Sequence, residues 1–382
     1  MIEIKDKTNC SGCHSCVNIC PKNCIEMKVD KEGFWYPEVD KEKCIECGLC
    51  EKRCPILNDM SVVNEPKAYA CYNKDDRIRE ESSSGGIFTL LASYIIDKGG
   101  IIYGAAFNQN FEVAHIEVTN KEDLSKLRGS KYVQSKLGNT YSKIKKHLNQ
   151  NKLVYFSGTP CQIDGLLSFL NKKYDNLICQ DFICHGVPSP KVWQKYLNER
   201  NKQFGNKPKN INFRNKKYGW ESFDMCIEYE NYTYNEIHRK DTFMQVFLKD
   251  LCLRPSCYDC HSKSLHRNSD ITLADFWGIK EVCSEMYDNK GTSLVFINSK
   301  KGQELFSKII SNIKYKEIDI KEATKYNTSS FKSVKMPRKR VAFMSGLFSN
   351  KFDEYAKKYT KLSVSQIVKN KLITIYLKLH RK

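Results

Sequence analysis

The sequence predicts a two-part molecule, a small α+β module at the N-terminus followed by a larger α/β domain. Three observations predict it. One cysteine pattern occurs twice near the N-terminus, at a shift of 34 residues. Further along, apolar stretches of helical period alternate with short apolar runs of strand type. Finally, two of the helix starts follow glycines, as α/β domains place them at their ligand sites. A length of 382 residues holds two or three domains.

Composition narrows the function classes. The chain carries 63 basic and 44 acidic side chains, a net charge of +19. The surplus is uneven: residues 1–60 are net −2, whereas residues 333–382 are net +11. Such a body suits anionic partners: a phosphate-bearing cofactor, an acidic redox protein or an anionic membrane surface. The sequence shows no nucleic-acid-binding motif, so nucleic acid is not an expected partner. No apolar run reaches the roughly 18 residues of a membrane span. Met1–Cys10 interleaves charges without an apolar stretch, so no secretory leader is expected and a cytoplasmic location is. Eighteen cysteines in a reducing compartment point to metal or redox chemistry rather than to disulfides.

The N-terminal module is expected over residues 1–60. Cys10-x2-Cys13-x2-Cys16-x3-Cys20-Pro21 recurs as Cys44-x2-Cys47-x2-Cys50-x3-Cys54-Pro55. This is the bacterial run for two [4Fe–4S] clusters, in which the cysteine before proline serves the other cluster. Thiolates two residues apart on a tight loop reach three corners of one cubane. Cys10, Cys13, Cys16 and Cys54 are therefore expected to hold one cluster, and Cys44, Cys47, Cys50 and Cys20 the other. Zinc would leave the third cysteine and the Cys-Pro unexplained. Cys24 reads as packing beside a cluster, and His14 as solvated. The module is thus ferredoxin-like, and residues 58–67 read as a linker.

The larger domain is expected over 61–325. Ser83, Ser84, Gly85 and Gly86 open a helix over 87–97 and leave backbone N–H groups free to approach an anion. Strands follow at 101–107 and 112–118, and a helix at 139–149. A strand at 152–157 leads through Gly158 and Thr159 to Pro160, the first position of a helix to about 170. Another strand, 177–183, ends in Cys184-His185-Gly186. Beyond it come a helix at 190–204, a β-rich stretch over 209–235, a helix at 240–250, strands at 271–274 and 294–298, and a helix at 301–312. A dinucleotide fingerprint of the GxGxxG type is absent. Cys71, Cys179 and Cys226 read as small core residues.

Cys257-x2-Cys260 is a further metal-type pair, and three groupings fit it. With Cys161 and Cys184, both at strand ends, it makes a third [4Fe–4S] site. With Cys252 and Cys283 it has the plant-type [2Fe–2S] spacing. With His261 it is formally a haem attachment sequence, which normally requires export. Zinc and plain structural thiols remain the simplest alternatives. Spacing alone does not separate the first two groupings.

The order of Glu-Ser-Ser-Ser-Gly-Gly (81–86), Gly-Ser-Lys-Tyr-Val-Gln-Ser (129–135), Gly-Thr-Pro-Cys-Gln (158–162), Cys-His-Gly-Val-Pro-Ser-Pro (184–190), Cys-x-x-Cys (257–260) and Ser-Asp-Ile-Thr-Leu-Ala-Asp-Phe-Trp-Gly (269–278), behind a ferredoxin module, resembles the family of coenzyme F420 hydrogenase and dehydrogenase beta subunits. The resemblance covers residues 5–300. It implies an FAD-bearing domain with its own [4Fe–4S] cluster on Cys161, Cys184, Cys257 and Cys260. It also implies a hydride-carrying coenzyme as donor, with ferredoxin or another redox protein taking single electrons. A flavin suits that task because it handles both one and two electrons. On this reading the two helix starts hold the FAD pyrophosphate, Lys131 meets a phosphate, and Ser130, Tyr132 and Gln134 bond the flavin or ribityl chain. Trp277, His185 and Asp181 read equally as site or as core, and no catalytic residue is assigned. His261-Ser262 depart from the family pattern, where an aromatic is expected. A ferredoxin-fed reductase of an organic substrate and a flavin-free electron relay are the alternative functions.

The C-terminal segment, 326–382, reads as a basic tail. Residues 335–340 form a basic loop, and from Val364 apolar residues recur at helical spacing. Such a helix suits an anionic membrane surface, a partner or the protein's own body.

Overall fold

The computed structural model describes residues 1–205 and 207–361, and the helix expected from Val364 lies outside them. The N-terminal module holds one antiparallel pair, β1 (Ile25–Val29) and β2 (Trp35–Val39), between two helical turns, Ser15–Ile19 and Leu49–Lys52. Its core is minute: Ile2, Cys24, Ile25 and Cys50 are buried, with Cys16, Cys20, Cys44 and Cys54 packed on them. So small a core rarely stabilises a domain, and modules of this size usually need a metal or a disulfide.

The strands of the body are β3 (Lys67–Asn73), β4 (Ile101–Phe107), β5 (Val113–Val118), β6 (Val154–Ser157), β7 (Leu177–Phe182), β8 (Asn210–Asn215), β9 (Asp224–Glu228), β10 (Thr233–Ile237), β11 (Ile271–Asp275), β12 (Ser293–Ile297) and β13 (Ile313–Ile318). Eight of them form one sheet in the order β13-β3-β12-β11-β7-β6-β4-β5. Four central strands, β11, β7, β6 and β4, run parallel, and the flanking pairs are antiparallel. Helices cover both faces, which is why β12 is buried along its whole length. The parallel arrangement brings the C-terminal ends of β6, β7 and β11 to one edge, where open α/β sheets bind ligands.

Local sequence accounts for the helices at that edge. Pro160–Leu170 begins with proline at its first position and a reciprocal capping box between Thr159 and Gln162. Pro190–Phe204 is capped by Ser189, whose hydroxyl accepts from the Val192 amide at 3.3 Å. The expected helix at 301–312 is shorter. It runs Lys300–Ser307 and gives way to a tight turn at Ile310–Asn312 that feeds β13.

β8, β9 and β10 form a separate antiparallel sheet. Its apolar face is covered by Pro190–Phe204 and by helices Thr242–Leu248, Arg340–Leu347 and Phe352–Thr360. The segment expected as a tail is therefore not one up to residue 360: Phe343, Met344, Leu347, Phe352 and Ala356 are core residues. Sequence reading missed them because the basic residues 335–340 and the lysines after 351 dominate the segment's composition.

Five buried arginines fasten distant segments through carboxylates. Arg79 pairs with Asp288 at 2.6 Å, Arg200 with Asp353 at 2.6 Å, Arg214 with Asp275 at 2.8 Å and Arg267 with Asp181 at 3.1 Å. Arg340, from the supposed basic loop, pairs with Glu32 of the N-terminal module at 2.7 Å. The linker is also held, since Asn268 donates to the Met60 carbonyl at 2.8 Å. Among the described residues no helix is long and apolar enough to cross a membrane.

Candidate redox site

Three groups of four cysteines emerge, and all eighteen thiols are free of disulfides. In the module, Cys20, Cys44, Cys47 and Cys50 line one small cavity of about 20 Å³. Cys24 also lines it, its sulfur 3.3 Å from that of Cys20, in a packing position. Cys10, Cys13, Cys16 and Cys54 form the second group, with Cys10 and Cys54 close enough that their charge raises the thiols of both Cys13 and Cys16. In the body, Cys161 and Cys184 meet Cys257 and Cys260 around a cavity of about 30 Å³. Cys252 and Cys283 are absent from that cavity and lie in two other cores, so the plant-type grouping is not assembled. Cys71, Cys179 and Cys226 are buried core residues, as expected.

The donor chemistry fits an iron–sulfur group. Burial pushes the Cys13 and Cys257 thiols up to about 12 and Cys260 up to about 11. Bare thiolates are therefore not stable there at neutral pH, and a cationic metal core is what makes them so. Among the described residues no three His, Cys, Asp or Glu side chains converge on one point as a single metal ion requires. His14, expected in solvent, is instead buried, 2% exposed, edge-on to Trp35 at 6.5 Å. The body closes over its loop, and burial pulls its pKa down to about 3, so the ring is neutral.

Beside the third group opens a cavity of about 780 Å³, within the 300–1,000 Å³ or so usual for ligand sites. Ser83, Ser84, Gly86, Ser130, Lys131, Tyr132, Gly158 and Thr159 line it. Three other expected cofactor contacts do not. Gly85 faces the sheet, where a Cβ would lie 2.6 Å from the Cys71 carbonyl. Gln134 is turned towards the module, with its Oε1 accepting from Arg254 at 3.2 Å. Pro160 walls the four-cysteine cavity instead.

The two helix starts differ. That at Gly86 has no side-chain cap, and Gly86 itself takes φ +78°, which only glycine adopts cheaply. At the other, the Thr159 amide is already spent on Gln162 at 2.9 Å. The first start is the better anion site. Ser83 and Ser130 hold the adjoining loops together, hydroxyl to hydroxyl at 2.9 Å. Lys131 is neither a surface lysine nor a free cation: its ammonium donates to the carbonyls of Arg128 at 3.0 Å and Gly129 at 3.1 Å. Burial pulls it down to about 7.

Of the other wall residues, Arg214 and His115 escaped the sequence reading, whereas Trp277 and His185 were read equally as site or core. Arg214 reaches the cavity from β8 and holds Asp275 and, at 3.2 Å, the Tyr132 hydroxyl. Trp277 stacks on Trp220 at 5.0 Å. His115 donates from Nε2 to the Ser157 carbonyl at 3.0 Å, while its Nδ1 is buried and unpartnered among the described residues. Burial pulls His115 down to about 4, so Nδ1 is an acceptor awaiting a donor. Such a set suits a large cofactor with both anionic groups and ring N–H donors. No motif marks Arg214 or His115, since each lies in an ordinary strand with other polar residues. His185 lines both cavities and bonds Asp250 at 2.6 Å. Asp181 stands apart from the large cavity, paired with Arg267.

The chain is similar to known proteins. Residues 9–57 match the 4Fe-4S dicluster domain. Residues 68–140 match the N-terminal part, and residues 151–323 the C-terminal part, of the coenzyme F420 hydrogenase/dehydrogenase beta subunit. An uncharacterized protein of Methanocaldococcus jannaschii is 25% identical over 89% of this chain and 96% of its own. One of the subunits of the F420H2 dehydrogenase of Methanosarcina mazei is 22% identical over 48% of this chain and 56% of its own length. A chain of the F420-reducing [NiFe] hydrogenase complex from Methanosarcina barkeri superposes over 73% of this chain and 99% of that one, with a TM-score of 0.46 at 17% identity.

Proposed function

Because the chain belongs to the family of coenzyme F420 hydrogenase/dehydrogenase beta subunits, preceded by a 4Fe-4S dicluster domain, we propose that it links a hydride donor to one-electron carriers. The donor is reduced coenzyme F420 or a nicotinamide, FAD occupies the large cavity, and ferredoxin or another redox protein exchanges electrons with the module. FAD, when bound, supplies the change between two-electron and one-electron chemistry.

One observation carries the reading. Cys184, His185, Gly186 and Val187 form a wall common to the large cavity and the four-cysteine cavity. Ser11 and Ile56 of the N-terminal module close the far side of the latter. The three cysteine groups thus lead from the cavity through the body to Cys47, which is exposed.

The chain's own residues do the rest. The uncapped turn at Gly86, with Ser83 and Ser84, receives the pyrophosphate. Lys131 fixes the 127–130 turn so that Ser130 and Tyr132 face the ligand. Arg128, ion-paired with Glu81, and Arg214, ion-paired with Asp275, put guanidinium groups on the wall, and His115 offers its acceptor nitrogen. The aromatic pair Trp277–Trp220 gives a flat surface for a ring system. The same route runs in reverse if a one-electron carrier feeds reduction of an organic substrate.

The test is cofactor analysis of anaerobically purified protein followed by a donor screen. FAD, iron and sulfide, with bleaching of the flavin by reduced F420 or by NAD(P)H, support the reading. Iron-replete protein that binds no flavin after reconstitution supports a relay role instead.

A further inference from the structure

The five buried arginines described above each meet a carboxylate. The sixth, Arg254, is the most buried of them, 0% exposed, and has no acidic partner among the described residues. Its guanidinium donates to neutral oxygens only: the Cys10 carbonyl at 2.7 Å, the Trp35 carbonyl at 3.0 Å and Gln134 Oε1 at 3.2 Å. It lies over the Tyr36 ring, 4.2 Å from the centroid. Burial pushes the Tyr36 phenol up, so that group is neutral as well. A buried cation without a counter-charge is unfavourable, and such charges are normally paired.

The charge of Arg254 reaches Cys257 of the body group, whose thiol it lowers, but its hydrogen bonds fall on the backbone of the Cys10 loop and of Trp35 in the module. The guanidinium packs against the loop between Cys10 and Cys13, where a Cβ on Gly12 would lie 3.0 Å from Nη1. Gly12 has φ +69°, so the loop turns its bare backbone to the arginine. Four thiolates around an iron–sulfur core make an anion, and one-electron reduction adds another negative charge to it. A fixed cation beside that anion favours the reduced form.

We propose that Arg254 is a positioning residue that supplies the counter-charge of the cluster on Cys10, Cys13, Cys16 and Cys54 and raises its reduction potential. It also ties that cluster's loop to the loop that begins three residues later at Cys257. The inference rests on the cluster reading above.

The test is a reductive titration of the anaerobic full-length protein, followed by electron paramagnetic resonance with iron counted in every sample. The signal lost in Cys13→Ser identifies the cluster. Arg254→Gln shifts the midpoint of that signal to more negative potential at unchanged iron, and Arg254→Lys returns it towards the wild type. Gln134→Glu keeps the arginine but places a carboxylate against it, and shifts the same midpoint in the same direction. If Arg254→Gln loses iron, Gln134→Glu decides alone. Wild-type midpoints in iron-replete Arg254→Gln and Gln134→Glu overturn the inference and leave the cluster reading standing. A wild-type protein without module signals overturns that reading and this inference with it.

Discussion

Gly165 carries no side chain at the point where the helix Pro160–Leu170 crosses Cys13. A Cβ there would lie 2.7 Å from Cys13 Cβ and 3.0 Å from its sulfur. The same helix bears Cys161 one turn earlier, so it spans the gap between a module cysteine and a body cysteine. Alanine in a helix interior is ordinarily about 1 kcal/mol better than glycine. Here overpacking, which costs about 1–3 kcal/mol, outweighs that gain. Gly165→Ala is expected to lower iron content and to broaden the resonance of the module cluster. A more stable variant with wild-type spectra would show that the helix yields.

Metal load follows from the three thiol groups. At four irons per four-cysteine site, the protein is expected to hold roughly twelve irons. Cys161→Ala and Cys184→Ala each reduce this by about a third. Elemental analysis giving about eight in the wild type, with both variants silent, removes the body cluster.

Flavin retention tests the large cavity. Gly129 has φ +83° and open space where a Cβ would stand. Valine there both strains the turn and intrudes on the cavity, so Gly129→Val is expected to weaken FAD binding about tenfold or more. Lys131→Ala frees the same turn and weakens binding less. Fluorescence titration of deflavinated protein measures both. Equal affinity in Gly129→Val would place the flavin elsewhere.

Electron exit is tested at Cys47. Cys47→Ser is expected to disturb the outer module cluster and to slow reduction of an external one-electron acceptor. Flavin bleaching by the hydride donor should persist at the wild-type rate. Stopped-flow absorbance separates the two steps, and loss of bleaching with FAD intact would contradict the order of transfer.

One clasp between module and body is the pair of buried Arg340 with half-buried Glu32. Removing the carboxylate leaves the buried Arg340 charge unpaired, though still hydrogen-bonded to the Leu253 carbonyl, at a cost below the roughly 3–5 kcal/mol of a fully buried pair. Glu32→Ala is expected to expose the module to proteolysis near residues 58–67, read by limited digestion. Resistance equal to the wild type would show that the Asn268 and Arg254 contacts suffice.

What the sequence determined by itself is what short spacing controls. The two cysteine runs of the module are local, so their crosswise grouping is legible from spacing alone. The helices Ile87–Asp97 and Pro190–Phe204 are equally legible, since a glycine pair before the first, a Ser-Pro start at the second and apolar periods along both mark them. Tertiary structure settled what spacing left open. It brought Cys161 and Cys184, the companions implied by the family resemblance, to Cys257 and Cys260, because parallel strands bring remote residues to one edge. It turned Gly85 and Gln134 away from the cavity that their neighbours line, because adjacent residues of a loop point in different directions. And it buried Arg254 and His14 where module and body meet, a position that no local pattern encodes because the two surfaces come from distant parts of the chain.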